Sequence, residues 1–192
     1  FHTSYNPGRF LYFQTSRDGI EWSSRTLLAA IDEGHYQVSC EKEGNLATAF
    51  NYHPAAFRGD SSRKGLNWRT NLYYLETRDF GATWQGADGT TVSLPVTQVQ
   101  HPALVRDYES EGKLVYLCDL NFDRSGAPVV LYVLADSWQP GPEHGEREWW
   151  VAHRKAGTWV FHRVTAADSN YDAGSIYIEK DGTWRIIAPT EQ

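Results

Sequence analysis

The sequence predicts an all-β fold made of repeated antiparallel units, and three observations predict it. Short runs rich in β-branched and aromatic residues follow one another along the chain, divided by Gly, Asn, Asp, Pro and Ser clusters. No segment keeps a helical period over a dozen residues; SRTLLAAID is the nearest and is too short. A strand, a tight Gly-bearing turn and a second strand recur at a regular interval. With 192 residues the chain can bury a real core, and eight Trp and eleven Tyr suit pleated sheets.

Taken in order, the predicted strands are RFLYFQTS, YQVSC, LATAFNY, TNLYYLET, HPALVRDY, KLVYLCDL, PVVLYVL, WWVAHR, TWVFHRV, SIYIE and TWRIIAP. Repeat units open at GHYQVSC, at QHPALVRDY and at NYDAGSIYIE, with turns at Gly44, Gly112 and Gly182. His35 and His101 are 66 positions apart and His101 and Tyr171 are 70 apart. The opening FHTSYNPGRFLYFQTSRDGIEW reads as the back half of an earlier unit, with FHTSY in the place of FNYHP and LNFD. Repeated four-stranded units suggest a β-propeller. The expected blades are 1–33, 34–99, 100–168 and an incomplete 169–192, a single partial domain of about three to four blades. The absence of Met points to a fragment or a processed chain.

A net charge of −6 argues against nucleic-acid and anionic-membrane partners, which need basic surfaces. No apolar run reaches the roughly 20 residues of a membrane span. Cys40 and Cys118 lack metal-ligand spacing and read as buried free thiols, with a disulfide between them the alternative.

Thr77-Arg78-Asp79-Phe80-Gly81-Ala82-Thr83-Trp84 has the parts of a folded turn. An Asp accepts backbone N–H groups ahead of it, a Gly takes a positive φ, and a Trp packs at the next strand. Ser16-Arg17-Asp18-Gly19-Ile20-Glu21-Trp22 is a shorter copy. These stretches resemble the Asp-box, S/T-x-D-x-G-x-T-W, of the sialidase-like (BNR repeat) β-propeller family. In that family the box lies between the two outer strands of a blade, away from the active site. The resemblance implies that starts of inner strands and ends of second strands gather at the opposite end, near the axis.

That end collects His35, Tyr36, His101, Tyr171 and Asp172 at inner-strand starts, and Tyr52, His53, Asp119, Asn121, Asp123 and Glu191 at second-strand ends. Arg69 and Asn71 join them after the loop from Pro54 to Trp68, whose Arg58, Arg63 and Lys64 are basic. His35, His53, His101, Tyr36 and Asp119 are the catalytic candidates; Arg69, Asn71, Tyr52, Asn121, Asp123, Tyr171, Asp172 and Glu191 are the substrate-binding candidates. Asp119, Asn121 and Asp123 alternate, so they hold a divalent metal or sugar hydroxyls, or cap a loop. No cofactor is expected. The family resemblance implies a secreted or periplasmic carbohydrate-active enzyme, a glycoside hydrolase or polysaccharide lyase on acidic polysaccharide. The alternative is a glycan-binding protein without catalysis. A lyase needs a proton acceptor such as His or Tyr and a cation on the uronate. A hydrolase needs two carboxylates across the sugar.

Overall fold

A computed structural model describes residues 1–4, 8–55 and 67–190. The structure is all-β, built of several antiparallel sheets in chain order. The first holds β1 (His2–Thr3), β2 (Leu11–Phe13) and β3 (Thr26–Ala29). The second runs β4 (Gln37–Lys42), β5 (Asn45–Tyr52), β6 (Thr70–Thr77), β7 (Trp84–Gln85) and β8 (Thr91–Val92), with β9 (Leu104–Arg106) also on β6. The third orders β10 (Leu114–Phe122), β11 (Pro128–Ala135), β12 (Arg147–Lys155) and β13 (Thr158–Ala166). β14 (Ser175–Ile178) and β15 (Trp184–Ile187) pair as the fourth.

The sheets pack face to face, which explains the composition of the middle strands. Every residue of β6 and of β11 is buried. Tyr73 and Leu75 of β6 join Leu11, Phe13, Leu28 and Ile31 of the first sheet and its following link in one apolar cluster. Leu72 and Tyr74, on the other face of the same strand, join Val115, Leu120, Val130 and Tyr132 of the third sheet. Strand residues alternate sides, so a strand buried on both faces is apolar along its middle, as in Leu72–Leu75, and its buried polar ends Thr70, Asn71 and Glu76 are hydrogen-bonded. Leu131, Val133 and Trp149 continue the stacking onto Ile176 of the fourth sheet.

Thr77–Trp84 joins β6 to β7 as a turn. Asp79 Oδ1 accepts from Thr83 N and Thr77 Oγ1 at 2.9 Å each, and Oδ2 accepts from Thr83 Oγ1 at 2.6 Å. Gly81 has φ +84°, and a Cβ there would lie 2.5 Å from the Phe13 ring. Trp84 packs edge-on to Phe13 with centroids 5.1 Å apart. Asp18 makes the same kind of turn between β2 and β3, accepting from Ile20 N and Glu21 N at 2.9 Å each.

One strand departs from the sequence reading. HPALVRDY was expected to open the third unit as its inner strand, with a hairpin turn at Gly112. Its Leu104–Arg106 instead pairs with β6, Leu72 opposite Arg106, on the outer side of the second sheet. The inner strand of the third sheet is β10, and its hairpin turn is Asp123–Ala127. Residues 107–113 form the crossover between sheets. Both cysteines are free, as expected, though each is only part-buried.

Candidate functional site

The β2, β6 and β12 strands all start at the same end, away from the Asp79 and Asp18 turns. Residues from the third sheet and from the links before the second and fourth sheets converge there on one guanidinium. Arg69, just ahead of β6, has its guanidinium carbon 3.9 Å from the Tyr36 ring centroid, 5.2 Å from that of Tyr116 and 5.3 Å from that of Tyr171. Arg69 is positioned by its backbone, because Val115 N donates to Arg69 O at 2.8 Å. Tyr116 donates to Asn67 O at 2.7 Å, which fixes that ring. Arg69, Tyr116, Cys118, Asn170, Tyr171 and Asp172 line a cleft of about 250 Å³. Tyr171 is 44% exposed and stands edge-on to Tyr116 at 5.6 Å. Burial lowers Arg69 from its ordinary pKa, opposed by the phenols of Tyr171 and Tyr116. Burial raises Tyr171, and the Arg69 charge opposes it. Stacking on aromatic faces suits a guanidinium, whose planar fork is also the side-chain group that matches a carboxylate.

His53 is buried edge-on to Tyr36, with ring centroids 5.2 Å apart. Burial, then the charges of Arg69, Arg9 and His35, hold it down at about 3, so the imidazole is neutral. His35 is also fully buried and neutral at about 4, mainly from burial. Its two nitrogens are both engaged: Nε2 accepts from Ile31 N at 3.0 Å and Nδ1 donates to Asn51 O at 2.7 Å. His35 thus works as a backbone clamp with no nitrogen left for a substrate proton.

The structure brings together Tyr36, His53, Arg69, Tyr171 and Asp172 and separates the remaining candidates. His101 lies ahead of β9 on the outer side of the second sheet, where its Nδ1 accepts from Ala103 N at 3.1 Å. It was expected near the axis because its strand was read as an inner one. Asp119 and Asn121 do share a face, but both grip one residue of the next sheet. Asp119 Oδ2 accepts from Ile176 N at 2.9 Å and Asn121 Nδ2 donates to Ile176 O at 3.0 Å. Asp123 sits in the β10–β11 turn at the far end of its strand, accepting from Ser125 N and Ala127 N and pairing with His153 at 2.9 Å.

Tyr52 is buried and donates to Glu109. Asn71, buried with φ +59°, accepts from Glu109 N at 2.8 Å. Both fix the crossover to the third sheet. Asp172 lines the cleft, yet its Oδ2 accepts from Asp168 N and Ser169 N at 3.1 and 3.0 Å. Glu191 and the basic loop residues Arg58, Arg63 and Lys64 lie outside the described residues. Among the described residues, no three His, Cys, Asp or Glu side chains are grouped to hold a metal ion.

Two residues missed by sequence reasoning belong here. Tyr116 and Arg9 fall in the predicted strands KLVYLCDL and RFLYFQTS without a site role, yet the Arg9 guanidinium carbon lies 4.7 Å from the Tyr36 centroid. A signal existed: an arginine stands at or just ahead of the start of the strand that leads into the outer turn in three successive sheets, Arg9 before β2, Arg69 before β6 and Arg147 in β12. Arg147 differs from the other two in direction, donating to Gly145 O and Gln139 O in its own loop.

A family model described as BNR repeat-containing family member matches residues 36–167. A search of curated proteins returns no match. A structure of polysaccharide lyase PL25, an ulvan lyase bound to -[GlcA(1-4)Rha3S]-, superposes with a TM-score of 0.76 and 15% identity. The match covers 96% of this chain and 44% of that one. Another structure of a PL25 ulvan lyase gives 0.73 and 15%, again over 96% and 44%. A protein of unknown function from Dyadobacter fermentans DSM 18053 gives 0.56 and 12%, over 98% and 52%. The chain thus spans less than half the length of the two lyase structures. At these identities the likeness is one of fold.

Proposed function

Because the chain belongs to the BNR repeat-containing family, we propose that it forms part of a sialidase-like β-propeller that cleaves an acidic polysaccharide by elimination. The observation that carries this reading is the Arg69 guanidinium set among the rings of Tyr36, Tyr116 and Tyr171. Arg69 neutralises a uronate carboxylate, which makes the adjacent C5 proton acidic enough to remove. Tyr36 and Tyr171 are the proton carriers, with neutral His53 against Tyr36. The Tyr36 oxygen, as phenolate beside Arg69, takes the C5 proton, the C5–H electron pair forms the C4–C5 double bond, and the C4–O bond to the next sugar breaks. The departing oxygen takes the phenol proton of Tyr171, solvent exchange restores both phenols, and no water is consumed. The fold likeness to an ulvan lyase supports the reaction class. Hydrolysis is disfavoured because Asp119 and Asp123 are bound up elsewhere and Asp172 faces backbone donors. This reading puts the protein outside the cytoplasm, where polysaccharide is met.

The test is to incubate the protein with uronic-acid and neutral polysaccharides and follow ultraviolet absorbance together with reducing ends. Elimination raises both signals on uronic-acid polymers alone, and Arg69→Gln lowers the rate about 10²–10³-fold, the scale for losing one charge-stabilising donor. Reducing ends without absorbance would mean hydrolysis. Binding with neither signal would mean a glycan-binding protein.

A further inference from the structure

Arg9 reaches the site by an arrangement that local sequence does not require. Its backbone lies beside residues 33–35 of a distant segment: Arg9 N donates to Glu33 O at 3.0 Å and His35 N donates to Arg9 O at 2.8 Å. Gly34 makes this approach possible, because a Cβ there would sit 2.2 Å from Arg9 O. The other side of the same segment is bonded to His53: Glu33 N donates to His53 O and His53 N donates to Gly34 O, both at 3.0 Å. One short segment thus carries Arg9 on one flank and His53 on the other, and leads directly into Tyr36. The two guanidinium carbons at Tyr36 are 4.7 and 3.9 Å from one centroid, so they lie within about 8.6 Å of each other.

We propose that Arg9 is a positioning residue of this site, fixing the Tyr36 ring against Arg69 so that phenol and guanidinium meet one ligand together. The proposal rests on the elimination reading for its role in turnover, but the placement of Tyr36 and His53 is measurable without any activity. The charged and titratable groups facing His53 are Arg9 before β2, Arg69 before β6, and His35 and Tyr36 before β4; the Asp32 backbone bridges to it. A second cation beside Tyr36 favours the neutral imidazole, as burial does.

The experiment compares wild type with Arg9→Gln, Arg9→Lys and Gly34→Ala. The first readout is nuclear magnetic resonance of the His53 imidazole and the Tyr36 ring. In Arg9→Gln the His53 titration midpoint rises and the Tyr36 ring signals shift. Arg9→Lys keeps the charge and holds the midpoint near wild type, while the ring signals still shift. Gly34→Ala, which pushes the Arg9 backbone away, reproduces the Arg9→Gln pattern at both signals. The second readout is steady-state kinetics on a uronic-acid polymer. Arg9→Gln is expected to lower kcat roughly 10–100-fold with KM within about threefold, the pattern for lost alignment. Unmoved His53 and Tyr36 signals in folded Arg9→Gln would overturn the proposal whether or not the protein turns over substrate. Moved signals in a protein whose wild type eliminates nothing would leave the positioning role standing and remove the elimination reading instead.

Discussion

His35 and His53 are both buried neutral, and their burial has a thermodynamic signature. Their folded pKa values, about 4 and about 3, lie below the 6.5 of an unfolded histidine. Between those values the unfolded chain binds more protons than the folded one. The stability they contribute is therefore full above pH 6.5 and is lost as pH falls toward 4 and then 3. Urea midpoints at pH 7 and pH 4.5 should differ by more in wild type than in His53→Gln, in which that residue no longer titrates. His35→Ala should destabilise by about 2–5 kcal/mol at neutral pH, since it strands a buried amide and a buried carbonyl and opens a cavity. At this scale the sequence was partly legible. That Tyr36, His53, Arg69 and Tyr171 lie together follows from strand ends collecting polar residues at one end of a sheet. Arg9 was not, because its partner Gly34 is far along the chain and no local pattern encodes that approach. The engaged nitrogens of His35 were equally invisible, being set by Ile31 and Asn51 backbone positions.

Strands and turns were more readable than their neighbours in space. The Thr77–Trp84 turn could be derived from residue chemistry, because the Asp79 hydrogen bonds and the positive φ of Gly81 all act within eight residues. Asp79→Ala removes the acceptor for Thr83 and Thr77 and should lower the melting temperature while leaving kcat unchanged. Gly81→Ala should be worse, costing about 1–3 kcal/mol or more, because it adds left-handed strain to a clash with Phe13. A thermal melt and a rate assay on both variants check this; a fall in kcat for folded Asp79→Ala would tie the turn to the reaction. The strand at Leu104–Arg106 was recognised as a strand and assigned to the wrong neighbour. Alternation and β-propensity report that a segment is extended, while pairing is decided by which sheet edge is open. Here β7 pairs with β6 only at Glu76, and β9 takes the same edge at Leu72 and Tyr73.

Across the molecule, the sheets are held as a stack by apolar faces and by a few polar ties between neighbours. Asn51 Nδ2 donates to Val115 O at 3.0 Å between the second and third sheets, and Asp119 and Asn121 grip Ile176 between the third and fourth. Asp119→Ala should release the β14–β15 hairpin, seen as roughly tenfold faster exchange of the Ile176 amide, while amides of β11 keep their protection. Uniform loss of protection would mean that the stack unfolds as one unit. The separation of turns from cleft along the strands also has a practical meaning. Burial raises the Cys118 thiol to about 12 and Cys40 above its usual range, so both react slowly with electrophiles. Ile20, 82% exposed on the Asp18 turn, sits at the opposite end from Arg69. A cysteine introduced by Ile20→Cys would outpace both native thiols, giving a single handle for a dye or surface linker that leaves the cleft facing the solution.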